Sequence, residues 1–406
     1  MSPDAAPMIV CLASYFKGVD FMREAKAQGA RVVLVTKERC RDEEWAHDAL
    51  EASVALPNEA TPELYIQTVA EAARRNRLKR VVALEEFDVI TAGLVREHLR
   101  LPGMTSSEAR LFRDKLAMRT TARDAGVNVP EFVHLLNFQE VGEFLERTPA
   151  PWVLKPRTDV SAIGIRKLDD AEQVWLAMKA LDARERPHER ASFHLLERFV
   201  AGDVFHVDSV VSGGEVRFAG VNRYGRPPMN VAQEGGVFIS STVGYDSAER
   251  AALLDINQQV VSALKLRRGA AHAEFIRGAD DGRFYFLEIA ARVGGAFTAE
   301  NLEAASGVNV WREWAKIELA DDERPYAAPT PRRDHSGIVL SLARQEWPDT
   351  SHFTDPEIVF RPRKRHHVAL VVRSGDPARV DELLASYARR FAAEFIAVAP
   401  PLERAE

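Results

Sequence analysis

The first hundred residues alternate short apolar runs with helical segments, and this alternation constrains the fold more than any other feature of the chain. The apolar runs are MIVCLA (8–13), RVVLVT (31–36) and RVVAL (80–84), and they are separated by helical patterns such as VDFMREAKAQG and PELYIQTVAEAARRN. Apolar strands separated by helices are typical of a parallel sheet that is covered on both faces. The sequence therefore predicts a Rossmann-like α/β domain.

Composition and motif content exclude several classes of function. The turn after the first apolar run, ASYFKGVD (13–20), lacks the G-x-G-x-x-G fingerprint, which argues against a nicotinamide-dependent oxidoreductase. A net charge of −6 argues against a nucleic-acid partner, which would need a basic face. No stretch approaches the ~20 apolar residues of a membrane helix. We therefore predict no nucleic-acid or membrane partner. Cys11 and Cys40 form no metal or redox spacing, which favours the reducing cytoplasm.

The rest of the chain changes pattern twice. From Trp152 onward, strand-like segments with a few helices between them predict an α+β region. The segment DERPYAAPTPRRD (322–334), rich in proline and arginine, separates this region from a small C-terminal unit. That unit contains two strand patterns and one helix, and its role is not predicted beyond covering the larger region or forming a dimer contact.

Two lysines and a loop of small residues indicate a phosphate site. Lys155 closes the strand WVLKP, and the loop RTDVSAIG (157–164) that follows is mostly small. Such a loop lets backbone N–H groups approach a phosphate closely. Lys115 begins a helix forty residues earlier and would supply a second cation. The combination suits a polyphosphate, although either lysine alone is more often a solvated surface charge.

The segment LLERFVAGDVFHVDSVV (195–211) has the features of a nucleoside site. Its extended backbone around Glu197 can meet an adenine edge between apolar walls. Asp203, directly after Gly202, can accept the two ribose hydroxyls, or it can be an ordinary turn residue.

A pair of acidic residues indicates a metal site. Glu274 and Glu288 lie on two apolar strand patterns, fourteen residues apart, with the hairpin sequence GADDGR (278–283) between them. Two carboxylates side by side repel each other unless a cation lies between them, and magnesium is the natural choice beside phosphates. A pair of salt-bridged glutamates is the structural alternative. Arg292, four residues beyond Glu288, can hold a carboxylate or a phosphoryl oxyanion, and Gly294 and Gly295 leave room for an anionic group.

Taken in order, these residues resemble the motifs of the ATP-grasp ligases. The likeness spans residues ~8 to ~320 and rests on Lys115, Lys155, Glu197-x-x-Val200-x-Gly202-Asp203, Glu274 and Glu288-x-x-x-Arg292. It implies an ATP-grasp fold of mixed α/β and α+β class, with a Rossmann-like pre-ATP-grasp domain (1–104), a first lobe with linker helices (105–195), a second lobe with the metal site (196–325) and a small C-terminal α/β subdomain (331–406). The sequence RVGG (292–295) looks most like the carboxylate–amine ligases that join amino acids. The loop after Lys155 is similar to that of D-alanine–D-alanine ligases and lacks the long glycine run of biotin carboxylases.

The resemblance also implies a role for each matching residue. ATP would be bound at its phosphates, adenine and ribose by Lys115, Lys155, Ser161, Ala162, Glu197, Phe199, Val200 and Asp203. Glu274 and Glu288 would ligate Mg²⁺, with Mn²⁺ as an alternative, and Arg292 would steady an acyl phosphate beside Lys155. His206 would face the phosphates, or it would be a satisfied histidine of the sheet. The family usually has asparagine two residues after the second glutamate, where this chain has Ala290, which cannot ligate a metal.

The sequence thus predicts an ATP-dependent ligase that forms an amide through an acyl phosphate and acts on amino acids or small carboxylic acids. The segment NRYGRPPMNVAQEGGVF (222–238) would line the amine pocket or close over it, with Arg223, Tyr224, Arg226 and Glu234 as candidate substrate residues; for the two arginines, solvated loop positions are the alternative. Another ATP-grasp activity such as carboxylation, or a non-catalytic ATP-binding regulator, remains the rival interpretation. The family resemblance implies a homodimer.

Overall fold

The computed structural model of the chain describes residues 6–74, 76–159 and 163–397. Within these ranges the N-terminal domain is a parallel sheet accompanied by helices, which confirms the prediction from the alternating apolar runs. Its elements are Met8–Ala13 (β1), Val19–Ala27 (α1), Arg31–Lys37 (β2), Leu50–Leu56 (β3), Pro62–Ala73 (α2), Leu78–Ala83 (β4) and Val89–Leu99 (α3). The strands lie in the order β3-β2-β1-β4, with β1 fully buried and most of β3 exposed at the edge.

Two linker helices, Ser106–Arg110 (α4) and Lys115–Asp124 (α5), lead to the first lobe. That lobe consists of Phe132–His134 (β5), Phe138–Arg147 (α6), Trp152–Pro156 (β6), Arg166–Leu168 (β7), Ala171–Asp182 (α7) and His194–Arg198 (β8). Its sheet is antiparallel in the order β5-β8-β6-β7. Trp152 and Leu154 of β6 and Leu196 of β8 pack in one core with α6 and α7, so the lobe has its own hydrophobic interior.

The second lobe is built on a larger antiparallel sheet. It contains Gly202–Ser212 (β9), Glu215–Tyr224 (β10), Pro228–Glu234 (α8), Phe238–Thr242 (β11), Ala248–Ala263 (α9), Arg268–Gly278 (β12), Phe284–Ala290 (β13), Thr298–Ser306 (α10) and Val310–Leu319 (α11). The C-terminal part adds His335–Leu342 (β14), Ile358–Phe360 (β15), His367–Ser374 (β16) and Pro377–Glu394 (α12). In the described ranges the strand order is β13-β12-β9-β10-β11-β14-β16-β15, so the C-terminal unit is continuous with the second lobe through the pairing of β11 with β14.

Two local contacts fix how β9, β12 and β13 lie in this sheet. β12 and β13 pair so that Glu274 stands directly opposite Glu288, as the predicted hairpin requires. At the start of β9, Gly202 passes so close to β12 that a Cβ atom would lie 1.9 Å from the carbonyl oxygen of Arg277. Across the described ranges, the helices are all too short or too polar to span a bilayer.

Candidate active site

A cavity of about 540 Å³ lies between the sheets of the two lobes. Its walls come from β6 and β8 on one side, from β9, β10, β12 and β13 on the other, and from α8. The residues predicted from the sequence that line it are Lys115, Lys155, Glu197, Phe199, Val200, Tyr224, Glu274, Glu288, Arg292 and Gly295. Charged groups that are far apart in the chain therefore meet in one cleft.

On the first-lobe side, Lys155 is held by a buried ion-pair network. Its Nζ lies 2.6 Å from Oε2 of Glu197, while Oε1 of Glu197 accepts a hydrogen bond from Nε of Arg119 at 2.6 Å. The side chains of Glu197 and Arg119 are 1% and 0% exposed. Burial alone would raise the pKa of Glu197, but Arg119 and Lys155 lower it below its ordinary value. The carboxylate is thus ionised and fixes Lys155 at the cavity wall.

Lys115 connects the linker helix with the second lobe. Asp114 begins α5 by accepting hydrogen bonds from the N–H groups of Leu116 and Ala117, at 3.0 and 3.4 Å. This cap aims Lys115 into the cavity, where its Nζ lies 3.1 Å from Oε2 of Glu288 and donates to the carbonyl of Asp159 at 2.7 Å. Burial acts to raise the pKa of Glu288, but the nearby cations, Lys115 first and then Lys155, together lower that pKa to about 2.

Glu274, the second acidic residue, belongs to a chain of hydrogen bonds and one ion pair that continues behind the cavity. Tyr224 donates from its hydroxyl to Oε1 of Glu274 at 2.7 Å, and Nε2 of His272 lies 3.6 Å from the same oxygen. Nδ1 of His272 is hydrogen-bonded to Oδ1 of Asp208 at 2.8 Å. Burial would lower the pKa of His272, but Asp208 and then Glu274 raise it to about 10. In this structure an imidazolium therefore lies between two carboxylates at the cavity wall.

Arg292 links the second lobe to the N-terminal domain. Its Nη2 and Nε donate to Oε2 of Glu86, at 2.8 and 3.2 Å, and its Nη1 donates to the carbonyl of Val293 at 3.0 Å. The other oxygen of Glu86 accepts from Arg113 at 2.6 Å. Burial would lower the pKa of Arg292, but Glu86 and Glu85 raise it. The guanidinium is thus held at the cavity wall by a carboxylate that follows β4.

Two predicted nucleotide-binding residues lie away from the cavity surface. Asp203 is exposed, whereas its neighbours Gly202 and Val204 line the cavity, because successive residues of β9 point to opposite faces. His206 is fully buried, with Nδ1 bonded to Asp208 at 2.6 Å and Nε2 to the Ser240 hydroxyl at 2.7 Å. Asp203 thus lies on the face of β9 opposite to Gly202 and Val204, and its ribose role stays a prediction, whereas His206 takes the structural alternative that the sequence left open.

The predicted substrate residues are also divided. Tyr224 and Gly295 line the cavity, but Arg223, Arg226 and Glu234 are exposed, and Arg226 is ion-paired with Glu234. Gly294 packs behind the wall, where a Cβ atom would lie 2.3 Å from Oγ1 of Thr298 and 2.7 Å from Oδ1 of Asp208. The segment meets the cavity through other residues: Met229, Asn230 and Val231 of α8 line it. Ser161 and Ala162 lie outside the described residues.

At the position predicted for adenine, Phe199 and Val200 follow β8 and line the cavity. The N–H of Phe199 donates to the carbonyl of Pro151 at 3.0 Å, so it is not the donor that would meet an adenine. The peptide between Phe199 and Val200 remains the candidate, with Ile276 and Leu287 as apolar wall residues.

Sequence reasoning missed the groups that hold the predicted residues in place. Arg119 lies one helical turn after Lys115 on the buried face of α5, and Glu86 follows β4 much as Lys155 closes β6. His272 lies two residues before Glu274, and the period of a strand puts both on one face. The positions of Glu86 after an apolar strand and of His272 two residues before Glu274 could therefore have identified both from the sequence. Arg119 is recognised only through its partner Glu197.

The acidic pair fits a divalent cation. Glu274 and Glu288 stand opposite each other on β12 and β13, and both line the cavity. Their mutual repulsion is offset here by Lys115 on one carboxylate and by His272 on the other. Carboxylate oxygens are the ligands that magnesium takes beside phosphates, so the residues present suit Mg²⁺ or Mn²⁺.

Comparison with known proteins agrees with this arrangement. A model of the ATP-grasp domain matches residues 148–300, and a model of the ATP-grasp N-terminal domain matches residues 22–103. The L-arginine-specific L-amino acid ligase of Bacillus subtilis is 24% identical over 246 residues, which is 60% of this chain and 58% of that protein. This chain thus matches less than two thirds of the length of that relative.

Solved structures extend the likeness over the whole fold. The L-amino acid ligase from Bacillus licheniformis superposes with a TM-score of 0.74 at 18% identity, covering 97% of this chain and 99% of that one. N5-carboxyaminoimidazole ribonucleotide synthetase from Thermus thermophilus superposes with a TM-score of 0.72 at 20% identity, covering 97% of this chain and 99% of that one. At such identities the superpositions establish the fold alone. The two family models together span more than half of the chain, and the chain belongs to the ATP-grasp family.

Proposed function

We propose that this chain is an ATP-dependent carboxylate–amine ligase that forms an amide bond through an acyl phosphate. Its substrates would be ATP and two small molecules, either two amino acids or a small carboxylic acid and an amino acid. Its other products would be ADP and phosphate. The curated relative named as an L-amino acid ligase and the solved structure of another such ligase support this choice within the family.

The observation that carries the proposal is the convergence of three cations and two carboxylates on one cavity. Lys115, Lys155 and Arg292 supply positive charge, and Glu274 and Glu288 supply metal-type ligands. A transferring phosphoryl group needs such charge compensation at several oxygens, and little covalent chemistry from the protein.

In the first step, an oxygen of the substrate carboxylate attacks the γ-phosphorus of ATP, the bond to the β,γ-bridging oxygen breaks, and ADP leaves. Lys115 and Lys155 would bind the phosphate oxygens, each already anchored by a glutamate. A divalent cation bound by Glu274 and Glu288 would supply further charge compensation when present.

In the second step, the amine nitrogen attacks the acyl carbon, phosphate leaves, and the nitrogen loses a proton. Arg292 would stabilise the acyl phosphate and the oxyanion that forms at the acyl carbon, because its guanidinium offers several N–H donors in a fixed plane. Its bonds to Glu86 orient that plane before substrate binds, which lowers the ordering needed in the reaction.

The segment 222–238 would separate the intermediate from water. α8 lies between β10 and β11 and contributes Pro228, Met229, Asn230 and Val231 to the cavity wall. An acyl phosphate hydrolyses readily, so a closing segment of this kind would favour attack by the amine over attack by water.

The setting of the protein is part of the same proposal. Cys11 and Cys40 are buried free thiols, which fits the reducing cytoplasm that the sequence predicts. A homodimer is the assembly that we propose.

The test is the release of ADP and phosphate from Mg·ATP with amino acids offered singly and in pairs. Glu288→Ala is the control, because it removes one of the two opposed carboxylates. We expect release that requires a carboxylate and an amine together and that is lost in the control. Release stimulated by bicarbonate alone would instead indicate a carboxylating activity, and ATP binding without release under any acceptor would indicate a regulator.

A further inference from the structure

The pairing of β12 with β13 places a histidine beside the alanine that cannot ligate a metal. Ala290 stands directly opposite His272, just as Glu288 stands opposite Glu274. Opposed residues of an antiparallel pair point to one face, with Cβ atoms roughly 4.5–5.5 Å apart. The four positions form a square patch on the sheet, and three of its corners carry atoms that can bind a cation.

The ring of His272 is oriented as a metal-binding histidine would be, and a cation bound at Nε2 would displace the proton that this nitrogen otherwise holds beside Glu274. Its Nδ1 is bonded to Asp208 at 2.8 Å, which leaves Nε2 on the side of Glu274, 3.6 Å from Oε1. His272 and Glu274 both line the cavity. Metal-ligating histidines generally donate their other ring N–H to a carboxylate, which fixes the ring and the tautomer.

Asp208 and His206 support this ring from behind. The ligand atoms of His206, Asp208 and His272 lie within 4.8 Å of one another, so a cation among these three is a second arrangement to consider. Both oxygens of Asp208, however, are taken by histidine nitrogens, and Nε2 of His206 is bonded to Ser240. Asp208 is 3% exposed and His206 is 0% exposed. Their atoms are therefore committed to each other, and of these three described residues it is His272 that lines the cavity.

We propose that Nε2 of His272 supplies the metal ligand that residue 290 does not, so that the site is formed by Glu274, Glu288 and His272. The inference rests on the proposed function, in which the two glutamates bind a divalent cation. Replacing an oxygen ligand by an imidazole favours the transition metals, so this site would prefer Mn²⁺ to Mg²⁺ more strongly than an all-oxygen site does.

The test is pulsed electron paramagnetic resonance of Mn²⁺ bound to the full chain with ADP. We expect a ¹⁴N coupling from a directly bound imidazole in the wild-type chain. His272→Asn keeps an amide N–H that can reach Asp208 but has no atom at the Nε2 position. The His272→Asn chain should lose the coupling and bind Mn²⁺ at least about tenfold more weakly. Loss of a residue that only supports a metal ligand already costs about tenfold, and loss of a ligand should cost no less.

His194→Asn is the matched control, since His194 is also buried and bonded through Nδ1, to the carbonyl of Arg190 at 2.9 Å. It should keep the coupling. Bound Mn²⁺ without ¹⁴N coupling in the wild-type chain would overturn the inference and leave the glutamate site and the proposed ligase intact. Failure of the wild-type chain to bind Mn²⁺, or binding unaffected by Glu288→Ala, would overturn both. Because the wild-type spectrum decides the matter, the test holds even if His272→Asn does not fold.

Discussion

The substitution Glu197→Gln removes the negative charge at the centre of the first-lobe ion-pair network. Glu197 is 1% exposed and faces both Arg119 and Lys155 at 2.6 Å. A glutamine is neutral and places an NH₂ donor where one of the two carboxylate oxygens was, so the 0% exposed Arg119 would keep a buried charge without a counter-ion. Breaking a buried pair from one side costs about 3–5 kcal/mol. We expect the free energy of unfolding of the first lobe to fall by about that amount.

The effect should depend on pH in a defined direction. The pKa of Glu197 in the folded chain lies below its ordinary value of 4.5. Its charge therefore stabilises the folded state above about pH 4.5, and the contribution is lost as the pH falls through the lower, folded pKa. The difference between wild type and Glu197→Gln should be constant from about pH 6 to about pH 8 and should shrink on acidification below about pH 4.5.

Urea unfolding, with hydrogen exchange of β6 and β8 measured on the same samples, would locate the loss, because a chain of several domains need not unfold in one step. Arg119→Met is the companion variant: it leaves Glu197 paired with Lys155, so its effect should be smaller. The double variant Glu197→Gln/Arg119→Met should be less destabilised than the sum of the two single changes. A loss below about 1 kcal/mol at about pH 7 for Glu197→Gln, or full additivity, would refute the reasoning.

Three further substitutions test local packing and the exposed part of the predicted substrate segment. Gly202→Ala should lower the melting temperature markedly, because its Cβ would meet the backbone carbonyl of Arg277 at 1.9 Å, and differential scanning calorimetry would measure the change. Gly142→Ala, in the middle of α6 with nothing within 4 Å of the added Cβ, should instead stabilise the chain by about 0.5–1 kcal/mol in the same assay. Arg226→Ala should leave the melting temperature unchanged and kcat/KM within about twofold of wild type, since Arg226 is exposed and paired with Glu234 on the same segment. A large rise in KM would instead show that Arg226 contacts the substrate.

The fold was predictable where pattern decides it. The three apolar runs of the first domain correspond to β1, β2 and β4, because buried parallel strands must be apolar on both faces. The strand LEASVAL (β3) was not predicted: it lies at the sheet edge and is mostly exposed, so its sequence carries polar residues. The pairing of β14 with β11 has no local sequence signal, since it depends on tertiary contacts across almost a hundred residues.

The candidate site was predictable in its charged residues, and less so in their orientation. Lys155, Glu274 and Glu288 stand out because a charge at the end of an apolar strand or in its interior needs a partner. The exposed position of Asp203 was not predictable, because one residue decides which face of β9 a side chain takes, and the sequence does not fix that register. Partners such as Arg119 appear only when two distant segments meet.

The most direct test of the central claim follows one oxygen atom. The substrate carboxylate, identified from the panel of amino acids, would be labelled with ¹⁸O, and the released phosphate would be examined by mass spectrometry. If the carboxylate attacks the γ-phosphorus, each phosphate released with the amide carries one ¹⁸O from the carboxylate. Amide formation that leaves the phosphate unlabelled would contradict the acyl-phosphate route and with it the roles proposed for Lys115, Lys155 and Arg292.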